Sequence, residues 1–176
     1  MTALKTVAVA LTLAAIFLIS LPWLILSATR DLGWLHMPIG GLRWLGVLAI
    51  GLGVYLYVWS LISLLRRGTS ALPGQPPTTL ATSGWYGRVR HPLLLGVVLI
   101  LLGEAIATAS LALLAFALAY WAWLHVFVRL KEEPDLQRVF GDQYHAYAAE
   151  VPRWIPRARP WRDSQSAERG GPVPPA

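Results

Sequence analysis

The sequence predicts an all-α integral membrane protein, with about four transmembrane helices followed by a cytoplasmic amphipathic helix. Two observations carry this expectation. The chain is 56% hydrophobic and only 14% charged, where soluble domains carry about 25% charged residues, and its mean hydropathy is +0.52. The apolar residues also fall into four stretches, at about 4–27, 42–65, 92–107 and 110–131. A helix needs about 20 residues to cross ~30 Å of hydrocarbon. One domain, 1–163, holds all four, and the Ser, Gly, Pro and charge of 164–176 read as a disordered tail.

The first stretch follows Lys5 and is too long for a signal-peptide core of ~7–15 residues, so it is expected to remain as a helix, kinked at Pro22. The second contains Gly51-Leu52-Gly53. No strand precedes this G-x-G, so it is no dinucleotide fingerprint, and close helix packing explains it better. Pro73, Gly74, Pro76, Pro77 and Gly84 then keep the loop from Arg67 to Trp85 extended. The third and fourth stretches form a hairpin turning near Thr108-Ala109-Ser110. Between Pro92 and Leu130 its only formal charges are Glu104 and Arg129. Two antiparallel crossings return Glu132-Glu133 to the face that the chain left at Arg90-His91, although 41 positions separate His91 from Glu132.

Beyond the hairpin, Leu136, Val139, Phe140, Tyr144 and Tyr147 recur at helical spacing among polar residues. They predict an amphipathic helix over 134–150, with Gly141 a weak point costing about 1 kcal/mol relative to Ala. Val151-Pro152 ends it, and Trp154 and Trp161 suit an interfacial aromatic belt.

Charge orients the bundle. The loop from Arg66 to Arg90 holds Arg66, Arg67, Arg88 and Arg90 and no acid, whereas the turn between the third and fourth helices has no Lys or Arg. The positive-inside rule therefore makes both termini and this loop cytoplasmic. A net charge of +6 then lies against anionic headgroups, and the flanking positions of these charges argue against nucleic acid as a partner. The absence of cysteine excludes disulfides, thiolate catalysis and cysteine metal sites. His36, His91, His125 and His145 show no ligand spacing, so no metal is expected.

Chemistry is concentrated at the cytoplasmic end of the fourth helix. Trp121, His125, Arg129, Glu132 and Glu133 share roughly one side of an unbroken helix. Such a stripe should face protein or a watery cavity, although Lys131 and its neighbours are also placed to snorkel into headgroup water. Glu104, deep in the third helix, either accepts an internal hydrogen bond from an indole or from Thr108, or lines a pocket.

Several spaced motifs resemble one family. Thr79-Leu80-Ala81-Thr82-Ser83-Gly84-Trp85-Tyr86, Arg90-His91-Pro92-x-x-x-Gly96 and Glu132-Glu133, followed by Phe140-Gly141-x-x-Tyr144-x-x-Tyr147 and Val151-Pro152-Arg153-Trp154-Ile155-Pro156, are similar to the isoprenylcysteine carboxyl methyltransferases and their bacterial relatives, with phospholipid methyltransferases as cousins. The resemblance spans about residues 66–157. It implies a membrane enzyme that uses S-adenosylmethionine, in a bacterial inner membrane, with Thr78, Thr79, Leu80, Ala81, Tyr86, His91, Pro92, Leu93, Leu94 and Glu132 around the cofactor. Leu94 stands where the family has Tyr. Arg129 corresponds, one position out of register, to the Arg associated with the methyl acceptor.

The residue types suit that cofactor. Glu132 can accept hydrogen bonds from a ribose diol or an ammonium, and Arg90 or His91 can pair with a carboxylate. Tyr86 can stack on adenine or face a sulfonium, at about 0.5–2 kcal/mol. A carboxylate acceptor needs no base, while a thiol or amine would call on Glu133 or His125. The acceptor, lipophilic or small, would enter from the bilayer. Two other readings share parts of the pattern. Sterol reductases, which use NADPH, have a similar R-H-P element and paired glutamates but are longer. A non-enzymatic four-helix scaffold would not need His91, Arg129 and Glu132 to converge.

Overall fold

The computed structural model describes residues 3–36, 38–67 and 79–161. They are helical almost throughout, the one exception to loop or helix being an isolated bridge between His36 and Ser110. The first helical run is α1 (Ala3–Ala15), a π turn (Ile16–Ser20) and α2 (Leu21–Thr29). It is followed by α3 (Arg43–Arg66), α4 (Pro92–Thr108), α5 (Leu111–Phe127), a second π turn (Val128–Glu132) and α6 (Glu133–Glu150). Three helical runs are long and apolar enough to cross a bilayer, beginning at Leu11, Gly40 and Leu111, and α4 is a shorter apolar helix.

Both π turns stand two residues before a proline, Pro22 in one case and Pro134 in the other. Proline has no N–H for the carbonyl four residues back, and its ring crowds that carbonyl. In the wide turn, Leu21 N–H reaches Ile16 O and Glu133 N–H reaches Val128 O, so the helix passes the proline without stopping. The predicted break between helices 110–131 and 134–150 is thus absent. The chain is helical from Leu111 to Glu150, bent at Gly141, whose backbone (φ 50, ψ −126) leaves the helical region. Gly141 is the weak point its residue type foretold.

The α3–α4 pair is built on glycine. Gly46 and Gly53 lie seven positions apart on α3, as do Gly96 and Gly103 on the antiparallel α4. A Cβ on Gly53 would stand 2.7 Å from Gly96 O, and one on Gly96 would stand 2.7 Å from Gly53 O. Gly103 meets Gly46 O at the same 2.7 Å. Backbones this close pack by dispersion, which is the main attraction available between helices in lipid. Gly53 therefore has the packing role expected of the G-x-G, whereas Gly51 faces open space.

Against this pair, Leu18 of the first run meets Val97, Ile100, Leu101 and Ala117 in the core. Outward side chains such as Trp23, Trp44 and Leu48 are about 70% exposed, as lipid-facing residues are. The hairpin turns where expected. Ala109 adopts a left-handed conformation (φ 55), Ser110 N–H bonds Ala105 O, and the Ser110 hydroxyl accepts from Leu113 N–H. The His36–Ser110 bridge joins this turn to the α2–α3 loop at one end of the bundle. The opposite end carries the polar residues.

Residues 151–161 form a C-terminal strap that runs back over residues 87–90. Arg90 N–H bonds Pro152 O (2.9 Å), Arg157 N–H bonds Arg88 O (3.0 Å) and Trp161 N–H bonds Gly87 O (2.7 Å). Beneath it, Tyr144, Tyr147 and Val151 make a second core with Leu80, Leu136, Phe140 and Trp161. Trp161 is therefore packed edge-on against Tyr147 (5.5 Å).

Candidate active site

The hairpin brings His91 and Glu132 together, with Nδ1 and Oε1 3.2 Å apart. His91 is the residue before α4, in an extended-side conformation (φ −122, ψ 64) forced by Pro92. Its ring is buried between two carboxylates, Glu132 on one side and Glu133 (3.7 Å from Nε2) on the other. Burial alone would lower the imidazole pKa. The charge and hydrogen bond of Glu132, with those of Glu133, overcome it and raise the value to about 9. His91 is therefore an imidazolium at neutral pH.

Glu133 is the centre of an ion cage. Arg153 grips it with two bonds, Nε to Oε1 and Nη2 to Oε2, both 2.7 Å, and Arg90 Nη1 donates to Oε1 at 2.9 Å. Burial pushes the Glu133 pKa up, but the bonds from His91 and Arg153 and the charge of Arg90 hold it far below the carboxylate range. A carboxylate so held keeps its charge and takes no proton in the physiological range. Arg90 is equally engaged, since its remaining nitrogens donate to Val151 O (2.5 Å) and Ala148 O. It joins the start of α4 to the end of α6.

Glu132 differs from its neighbour. Its side chain is 38% exposed, and His91 is its one ion-pair partner among the described residues. Near it lies the buried Tyr86, whose phenol pKa is raised by burial and then by the charge of Glu132. The Tyr86 carbonyl is fixed by Tyr147 Oη (2.6 Å), and its ring packs near Trp59 (6.4 Å). Ser60 of α3 faces the Tyr86 phenol, yet its hydroxyl has no hydrogen bond of good geometry.

The other expected residues are distributed unevenly. Thr78 lies outside the described residues. Thr79 is exposed, Leu80 packs into the Tyr144–Tyr147 core, and Ala81, Leu93 and Leu94 are half-buried, the last two in the first turn of α4 with buried Pro92. Arg129 sits exposed on the second π turn and makes no ion pair among the described residues. Glu104 is half-buried, one carboxylate oxygen lacks a partner, and Thr108 donates to its backbone carbonyl instead (2.7 Å).

Trp154 and Arg153 were not foreseen as site residues. Trp154 Nε1 donates to His125 Nδ1 at 3.0 Å, and its ring lies 6.3 Å from those of His91, His125 and Trp121. Trp154 thus lies beside His91 and His125. The signal lay in Arg153-Trp154 following a helix-ending proline, which tethers both side chains to a segment able to fold back.

The bundle thus gathers an ion cage and an aromatic cluster at one end, as a membrane-type helical protein with a single polar end. Residues 42–143 match the model of the phospholipid methyltransferase family, and the chain belongs to that family. It is also similar to methanethiol S-methyltransferase 2 of Bradyrhizobium diazoefficiens, at 33% identity over 133 residues, covering 73% of this chain and 50% of that protein. The chain thus spans about half the length of this relative.

Proposed function

We propose that this protein is an S-adenosylmethionine-dependent methyltransferase of the membrane, in which the shorter α4 also crosses, as the third of four spans, and the His91–Glu132 end faces the cytoplasm. The observation that carries the reading is the unspent polar surface at that end. Glu132 has a carboxylate oxygen to spare, the buried Ser60 Oγ has no hydrogen-bond partner, and His91 Nε2, with Glu133 no nearer than 3.7 Å, lacks a hydrogen bond of good geometry. Unsatisfied buried groups cost about 1–3 kcal/mol each, so such a cluster fits a polar ligand. Family membership and the similarity to a methanethiol methyltransferase support the same reading.

The cofactor, when bound, supplies an electrophilic methyl group on a sulfonium. Glu132 accepts hydrogen bonds from its diol or ammonium, and the charged His91 draws its carboxylate. Tyr86 gives an aromatic face beside the positive centre. Arg90, Arg153 and Glu133 position these groups by closing the strap over them. Trp121, His125 and Trp154 wall the side on which a small or lipophilic acceptor enters from the bilayer, and holding it in line with the methyl group supplies most of the rate.

Titration of the purified chain in detergent with S-adenosylmethionine, S-adenosylhomocysteine and NADPH tests this. The adenosyl ligands should bind, and His91→Ala and Glu132→Gln should each weaken them at least about tenfold, the effect of one lost charge-assisted hydrogen bond. Binding of NADPH alone would sink the reading.

A further inference from the structure

One hydrogen bond in the aromatic cluster has a forced direction. Trp154 Nε1 lies 3.0 Å from His125 Nδ1, and an indole nitrogen only donates. His125 Nδ1 must therefore carry a lone pair, and the ring proton must sit on Nε2. An imidazolium, or the opposite tautomer, would break the bond. His125 is only half-buried, and Nε2 has no hydrogen-bond partner among the described residues. The free donor lies one indole away from His91, since Trp154 is 6.3 Å from both imidazole rings.

Resting on the proposed methyl transfer, we infer that Trp154 is a positioning residue that holds His125 as an Nε2–H donor, and that this donor steadies an acceptor whose attacking atom is already an anion. In the step, a lone pair of the anionic atom forms the bond to the methyl carbon. The bond from that carbon to the sulfonium breaks, its electron pair goes to the departing sulfur, and no proton moves. The acceptor gives up its proton to water before it binds. Thiolates and carboxylates share the required chemistry. An amine does not, because once its proton has gone to water it attacks as a neutral atom whose single lone pair cannot both accept from the His125 Nε2–H and reach the methyl carbon.

The ionisable groups on the surrounding elements leave this arrangement undisturbed. His91, Glu132, Glu133, Arg90 and Arg153 are tied to one another, and Arg129 is exposed.

The full chain, labelled with ¹⁵N-histidine in detergent, tests the tautomer by NMR without cofactor, with His125→Gln identifying the signal. Wild type should show His125 with Nδ1 unprotonated and Nε2 protonated at neutral pH, and Trp154→Phe should populate the other tautomer. An imidazolium or an Nδ1–H in wild type overturns the inference. Activity supplies the second arm. With acceptor thiols of graded acidity, the rise of kcat/KM with pH should follow each acceptor's own pKa. His125→Gln keeps a distal N–H but cannot act as a base, so it should retain activity within ~10-fold, while His125→Ala should lose ~100-fold. A profile fixed at one enzyme pKa for every acceptor, with the Gln variant as slow as the Ala variant, overturns it. Thioether or ester product tells thiolate from carboxylate. Failure to bind S-adenosylhomocysteine in protein with the expected tautomer would overturn the methyl-transfer reading and, with it, the role of this donor, while leaving the tautomer itself established.

Discussion

The charge on His91 should set the alkaline limit of stability. Its pKa is about 9 in the folded protein against an ordinary value of 6.5. A raised histidine pKa stabilises the fold fully below the unfolded value, and the contribution fades as pH rises through the folded one. The difference corresponds to roughly 3 kcal/mol below about pH 6.5, most of which remains near pH 7 and little of which remains near pH 9. The loss of about 2 kcal/mol between those pH values translates to a fall of roughly 4–9 °C in Tm for a chain of this size. Thermal unfolding followed by tryptophan fluorescence in detergent, from about pH 6 to about pH 10, measures it. The phenols of Tyr86, Tyr144 and Tyr147 are pushed up by burial from an ordinary value of 10.0, so they add a loss of their own only as pH nears that value, and the His91 effect is read at and below about pH 9. His91→Gln keeps a polar group but cannot charge, so its Tm should start lower and stay nearly flat. If wild type and His91→Gln fall in parallel, the imidazolium between Glu132 and Glu133 is not what holds this end together.

The adjacent glutamates should separate cleanly by assay. Glu132→Gln should weaken S-adenosylhomocysteine by ~10–100-fold in a calorimetric titration, and because the Glu132 charge is the first support of the His91 imidazolium it should also lower Tm at neutral pH, by less than Glu133→Gln does. Glu133→Gln should lower stability by roughly 2–4 kcal/mol because it strands Arg90 and Arg153. The reverse pattern would refute the division of labour. On the other side of α4, Gly96→Val should lose about 3 kcal/mol or more, since a side chain there meets the Gly53 carbonyl and the backbone of Tyr57. Gly51→Ala, in open space, should be neutral or stabilising by up to about 1 kcal/mol. Unfolding in a graded series of SDS concentrations compares the two.

The helices and the hairpin were legible because apolar runs, proline and glycine act locally. Pro92 starts α4, Thr108-Ala109-Ser110 ends it, and the return of Glu132 to His91 follows from two antiparallel helices. The π turns were not legible as such, since Pro22 and Pro134 announce a disturbance but not its kind. That is why the spacing that placed Arg129 with Glu132 and Glu133 on one stripe fails to describe the outcome, with Arg129 exposed and Glu133 caged. Trp154 and Arg153 depend on the strap folding back across 61 positions to bond Arg90 and across 20 to bond Glu133. No periodic pattern encodes a contact of that range, and an amphipathic tryptophan at a membrane surface has an easier explanation.

Glu132 and Glu133 read as one motif but cannot act as one. Adjacent residues on a helix point roughly 100° apart, and a π turn rotates everything after it back by a similar angle. With Val128–Glu132 forming that turn, Glu133 faces inward, where Arg90 arrives from the start of α4 and Arg153 from the strap. Two guanidinium groups need one buried carboxylate between them, and its lone pairs are then occupied. Glu132 is left at the rim with His91 as its single ionic partner among the described residues. The same strap that delivers Arg153 to Glu133 carries Trp154, the next residue, to His125. The cage is thus what sets the indole in place. Any loosening of the Arg153–Glu133 pair must release the tautomer of His125 along with the fold of the tail, so stability at one glutamate and donor geometry at the proposed acceptor side are coupled through two consecutive residues.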